Sequence, residues 1–250
     1  MRGLFLQQPF EFRLDVKGED FVQGQPVECV LRVKNHASEP RTIGTPKLLL
    51  ALANLKKVKS KDPSAFEVLS EVESERGVEV AASAEYVFEH AFPLEINCPI
   101  TDKAQSPYLL YGNSEQPSEL GQLLLTVNLH PHLKAIFDTC TTVFSFIPKG
   151  ESSKNGWTSV KLKPPESRRL SFVEELNLSA RFEDEALVVK YLFSVKKFDT
   201  AMTSINVKKG KTEVQQSWPV SEYLFGGGFV QQQYVEKMID AALAEVSSGL

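Results

Sequence analysis

Cysteine is scarce in this chain of 250 residues: Cys29, Cys98 and Cys140 are three, widely spaced and without a CxxC pair. That usage argues against a disulfide framework and a cysteine-rich zinc module, and favours reduced thiols in a cytoplasm, each read as a small buried hydrophobe. Charge of one sign is also missing. Lys and Arg number 28 against 32 Asp and Glu, a net charge of −4, so the whole chain carries no electrostatic footprint for nucleic acid or an anionic membrane. The longest apolar runs reach about half a membrane span, so no transmembrane segment is expected. Met1 to Phe12 has neither a sustained apolar core nor a small-residue cleavage site, and no secretory signal is expected there. No GxSxG, HExxH, calcium-loop or Walker sequence occurs, which leaves enzymatic activity without support.

What is present is period-two alternation, the mark of strands with one buried face. Phe10, Phe12, Leu14 and Val16 alternate with charged residues, and so do Val27, Cys29, Leu31 and Val33 after the turn-rich stretch Gly18 to Gly24. Leu48 to Val58 is an apolar run that fades into lysines, a strand or a short helix between Pro46 and Pro63. Strand-like material continues from Phe66 to Val80. Tyr86, Phe88, His90, Phe92 and Leu94 alternate cleanly, and Tyr108 to Tyr111 and Gln122 to Leu129 supply two more strands.

The period then changes. Leu133, Ile136, Phe137 and Cys140 stand at i, i+3, i+4 and i+7, one face of a short helix over Pro131 to Cys140 with a first-turn proline. Thr141 to Ile147 is expected to resume β-structure. Pro148 to Ser159 is polar and rich in Gly and Ser, and Lys163 to Ser167 is another break, so residues 151–167 are expected to link a first domain, 1–150, to a smaller one, 168–250. In that second part, Leu176, Leu178 and Phe182 lead to a tight Glu183-Asp184-Glu185 turn, answered by Leu187, Val189, Tyr191, Phe193 and Val195. Ile205 to Val207 and Glu213 to Trp218 are weaker strands around a turn at Lys208 to Lys211. From Val230 to Val246 the apolar residues recur every four, an amphipathic helix over 230–247 whose stripe must cover its own lobe or a partner.

Few residues invite chemistry. His130-Pro131-His132 would suit a metal, but no Cys or carboxylate stands at ligand spacing, and a bend is the plainer reading. His90 lies on an aromatic strand face and reads as a hydrogen-bonded core histidine. Gly226-Gly227-Gly228 precedes the last helix, but without the Lys and Ser/Thr of a phosphate loop it reads as a flexible joint. Arg168-Arg169-Leu170-Ser171 has the pattern of a basophilic kinase site and reads as a strand start. The carboxylates Glu174-Glu175 and Glu183 to Glu185 sit where solvent would reach them, without the environment that separates acid from base. No catalytic, cofactor or metal residue is nominated.

Three stretches carry a family resemblance: Phe12 to Val33 with Gly18, Gly24 and Pro26; Phe88 to Pro99 (FEHAFPLEINCP); and Leu123 to Ile147 (LLLTVNLHPHLKAIFDTCTTVFSFI). The last resembles a strand, a proline, a short amphipathic helix and a Phe-containing strand of the arrestin-like bacterial sporulation-control family. The chain is thus expected to be mainly β, with two arrestin-like sandwich lobes, the helix near 131–140 and a terminal helix. The resemblance implies a non-enzymatic cytoplasmic adaptor or regulator in bacterial stress, envelope or developmental signalling. It would bind protein partners at sandwich edges or in a groove between lobes, with no cofactor and no nucleic acid. The alternatives are a metal-dependent hydrolase or enzyme accessory domain using His130 and His132, and an adhesion or carbohydrate-binding module.

Overall fold

The structure is a computed structural model that describes residues 1–74, 77–201 and 204–248, with the backbone alone over 197–201 and 204–209. The chain divides into two units, Met1–Asn128 and Leu129–Leu250.

The first unit carries β1 (Arg2–Gln7), β2 (Phe10–Val16), β3 (Asp20–Val22), β4 (Pro26–Asn35), β5 (Arg41–Thr42), β6 (Lys47–Ala53), α1 (Leu55–Lys59), β7 (Phe66–Glu73), β8 (Glu79–Val80), β9 (Glu85–Pro93), β10 (Ser106–Gly112), β11 (Gly121–Leu124) and β12 (Thr126–Asn128). Two four-stranded antiparallel sheets, ordered β1-β2-β4-β9 and β11-β10-β6-β7, form a sandwich. The alternating residues of β2 and β4 face inward, where Phe12, Leu14, Leu31 and Val33 meet Leu48, Leu50, Leu109 and Tyr111 of the other sheet.

β6 and β10 are buried at every position, which is why they show no alternation. Their other face forms a second cluster in which Leu49, Ala51, Tyr108 and Leu110 pack with Leu120 and with Leu55 and Val58 of α1. The apolar run after Pro46 is therefore a strand and a helix in succession. Asn54 separates them, its side chain accepting the Lys56 N–H at 2.9 Å as an N-cap.

The second unit holds α2 (Pro131–Thr142), β13 (Ile147–Lys154), β14 (Trp157–Lys163), β15 (Val173–Glu183), β16 (Ala186–Ala201), β17 (Ser204–Pro219), α3 (Val220–Tyr223) and α4 (Gln232–Ser248). The five strands make one antiparallel sheet in chain order. Leu178, Tyr191, Phe193, Val214 and Trp218 are among its buried side chains. α2 buries Leu133, Ile136, Phe137 and Cys140, and α4 buries Val235, Ile239, Ala242, Leu243 and Val246. α2 packs against α4, and α4 against β17. The terminal helix thus covers its own unit: Tyr234 meets Trp218 edge-to-face at 5.9 Å, and Gln216 Nε2 donates to the Met238 carbonyl at 3.0 Å. The layer opposite the sheet is helical here, where the first unit uses a second sheet.

Several expectations change. The unit boundary falls at Asn128 rather than after residue 150, because α2 packs with α4 and so belongs to the second core. Residues 151–167 are no linker: β13 and β14 pair through Lys154 and Trp157 around Asn155-Gly156, whose φ angles of +52° and +75° are those of a two-residue hairpin turn. Thr141 and Thr142 end α2 instead of resuming β-structure, and β13 starts only at Ile147. Lys208 to Lys211 is not a turn but part of β17, paired with Ser194 to Lys197, and the connection at 202–203 lies outside the described residues.

Candidate interaction sites

Side chains that suggested chemistry are engaged in structure. His130 is the N-cap of α2: its Nδ1 accepts the His132 N–H at 3.2 Å. Burial, and secondarily the neighbouring His132, push its pKa down to about 4. The two imidazoles stand edge-to-face at 4.5 Å, and His130 also meets Phe182 at 4.8 Å. His132 Nε2–H donates to the Gly228 carbonyl at 2.8 Å, which makes Nδ1 the acceptor nitrogen, buried and without a hydrogen-bond partner. Among the described residues, no cluster of three His, Cys, Asp or Glu side chains is placed to hold a metal ion. The geometry thus uses the histidine pair as a cap and a pin for backbone.

His90 is half-buried rather than a core residue, with its ring 4.6 Å from Phe92. Cys29, Cys98 and Cys140 are buried and free, and burial pushes their thiols up to about 12, 11 and 12. Arg168 to Leu170 is a 3₁₀ turn, not a strand start. Arg169 pairs with Asp240 of α4 at 2.6 Å, and the exposed Ser171 hydroxyl donates to the Arg168 carbonyl.

Two surfaces stand out instead. The first is β7, an edge strand of the first unit's β11-β10-β6-β7 sheet. Its burial is low over most of its length, with Val68 39% and Leu69 46% exposed. An edge strand presents unpaired N–H and C=O groups along one side, and exposed β-branched and aliphatic residues there form a template for a further strand. β13, at an edge of the second unit's sheet, differs in carrying Pro148, Lys149 and Lys154, while both strands have a register shift, at Gly150 in β13 and at Leu69 in β7. Proline and lysines blunt an edge.

The second surface is the loop between α3 and α4. The triglycine is not a loose joint. Phe225 N–H donates to the Phe229 carbonyl at 2.8 Å, Gly228 N–H to the Phe225 carbonyl at 3.0 Å, and Leu224 bridges to Val230. Gln231 N–H reaches the Tyr223 carbonyl at 2.8 Å, and His132 holds Gly228 from below. Gly227 and Gly228, at φ +96° and +82°, supply the left-handed residues such a tight reversal needs. The reversal leaves Phe225 57% and Phe229 73% exposed. A signal for it was present in sequence, a phenylalanine on each side of three glycines, neither belonging to the stripe of α4.

Solved structures align with this chain in whole or in part. Spo0M, the sporulation control protein of Bacillus subtilis, aligns with 96% of this chain and 99% of its own at a TM-score of 0.63 and 12% identity. The β-glucosidase EmGH1 of Erythrobacter marinus and a β-glucosidase of Listeria innocua each align with 48% of this chain, at TM-scores of 0.31 and identities of 12% and 13%, over 15% and 16% of their own lengths. No protein-family model and no curated protein sequence matches the chain. The chain has a mainly-β, Spo0M-like fold.

Proposed function

We propose that this protein is a non-enzymatic cytoplasmic adaptor of regulatory character that recruits a protein partner by strand addition at β7. The observation that carries the reading is the edge itself, exposed at Val68 and at Leu69, where the pairing with β6 shifts register, and free of the proline and lysines that β13 carries. Strand addition draws affinity from main-chain hydrogen bonds and specificity from alternate side chains, so it needs no converging catalytic groups. The likeness of fold to a sporulation control protein supports a regulatory role, and bacterial stress, envelope or developmental signalling is the setting it suggests.

The test is affinity capture from the native host with wild type and with the Val68→Lys/Leu69→Pro variant. Both positions are exposed, so the melting temperature should stay within a few degrees of wild type. A partner enriched by wild type and lost by the variant supports the reading. Equal recovery by both, or turnover of a small molecule by the purified protein, overturns it.

A further inference from the structure

We infer that the Phe225–Phe229 loop is a second docking site, built to hold a cationic amphipathic segment of a protein partner. Two large aromatic side chains are held in water by a loop that is anything but loose. Its ends are bridged at Leu224 and Val230, its turn is closed by Phe225 and Phe229 backbone groups, and its Gly228 carbonyl is fixed by His132. The ordering cost of binding is therefore already met, and aromatic side chains in such positions are the usual anchors of an interface.

The charge beside the loop selects the partner. Glu183, Asp184 and Glu185 form the exposed turn between β15 and β16, and the Val220 N–H that opens α3 donates to the Glu185 carbonyl at 3.0 Å. Phe182, next to that turn, has its ring 6.2 Å from His132, and His132 in turn holds Gly228, so the acidic turn and the aromatic loop share one support. Exposed Glu222 of α3 adds a fourth carboxylate. Among the described residues, none of these four has an ion pair to a Lys, Arg or His side chain, and Arg181, two positions before the turn, leaves the excess negative. Exposed aromatic side chains beside carboxylates that have no cationic partner, Glu222 meeting only the Tyr234 hydroxyl, fit an apolar stripe flanked by Lys or Arg. The same carboxylates repel an anionic bilayer.

The experiment uses the full chain and three synthetic peptides of about 18 residues, roughly five helical turns. One is amphipathic Leu/Lys, one is its Leu/Glu counterpart, and one is Lys/Ser without an apolar face. Fluorescence anisotropy should show the Leu/Lys peptide binding and the other two failing. Phe225→Ser/Phe229→Ser should weaken Leu/Lys binding at least tenfold, or about 1.4 kcal/mol, without moving the melting temperature. Glu183→Gln/Asp184→Asn/Glu185→Gln should weaken it and flatten its salt dependence.

Unchanged affinity in the double Phe variant, equal binding of the Leu/Glu peptide, or no binding of any peptide overturns the proposal. Two other occupants are covered by controls. Sedimentation with phosphatidylserine vesicles, or a dimer that disappears on Phe229→Ser, would overturn it in favour of a membrane or of a second copy. The Val68→Lys/Leu69→Pro variant should bind the Leu/Lys peptide as wild type does, so this site and strand addition at β7 stand or fall separately.

Discussion

Gly121 shows how one missing methyl group decides the closure of the first sandwich. A Cβ there would lie 2.6 Å from Phe5 Cβ and 2.8 Å from Tyr111 Cζ, where β1 packs against β11. Both neighbours are held, Phe5 edge-to-face against Tyr111 at 6.4 Å and Tyr111 within the core, so neither can step aside at low cost. Gly121→Ala is expected to destabilise the protein by about 1–3 kcal/mol through overpacking, read as a lowered urea midpoint at unchanged slope. His130 gives a pH dependence of defined sign. Its imidazole protonates near 6.5 in an unfolded chain but only near 4 in the fold. Between those values the unfolded state binds more protons, so the contribution is whole above pH 6.5 and is lost as the pH falls towards 4. Discounted for partial exposure, the loss is about 1–2 kcal/mol. His130→Asn keeps a capping acceptor without a titrating group, and its urea midpoint should fall less than that of wild type between pH 7 and pH 4.5. An equal fall in both proteins would refute the assignment.

At the scale of elements, α4 is the sharpest case. Its apolar repeat stands out in sequence, but a stripe says only that something covers it. The structure supplies the cover: Val235, Ile239, Ala242, Leu243 and Val246 are buried within their own unit, with Arg169 clamped to Asp240 on the flank. Removing residues 230–250 should therefore lower the melting temperature and yield a soluble but aggregation-prone protein. A truncated protein that melts with wild type would mean the helix does not cover this core. The strands separate into two groups by legibility. β2, β4 and β9 are half-buried and alternate, so their faces are readable. β6 and β10 are covered on both sides, and a run buried throughout has no period from which to tell strand from helix. The hairpin of β13 and β14 was legible in principle, since Asn-Gly favours a two-residue reversal. Its polar flanks read as a linker because β13 is an exposed edge with almost nothing buried.

For the whole molecule, local pattern determined the mainly-β composition, the positions of α2 and α4, the hairpin of β15 and β16, and the resemblance that the Spo0M-like fold bears out. These follow from side-chain periodicity and turn chemistry, which act over a few residues and are written along the chain. Where the units divide was decided by tertiary packing, since α2 follows the strands of the first unit in sequence yet packs with a helix about a hundred residues later. The two candidate surfaces were decided the same way. β7 is an edge only because of the order in which the strands assemble, and the phenylalanines beside the triglycine are exposed only because a histidine and a backbone bridge hold the loop outward. Exposure and edge position belong to the assembled fold, because each depends on what neighbours from distant sequence leave uncovered.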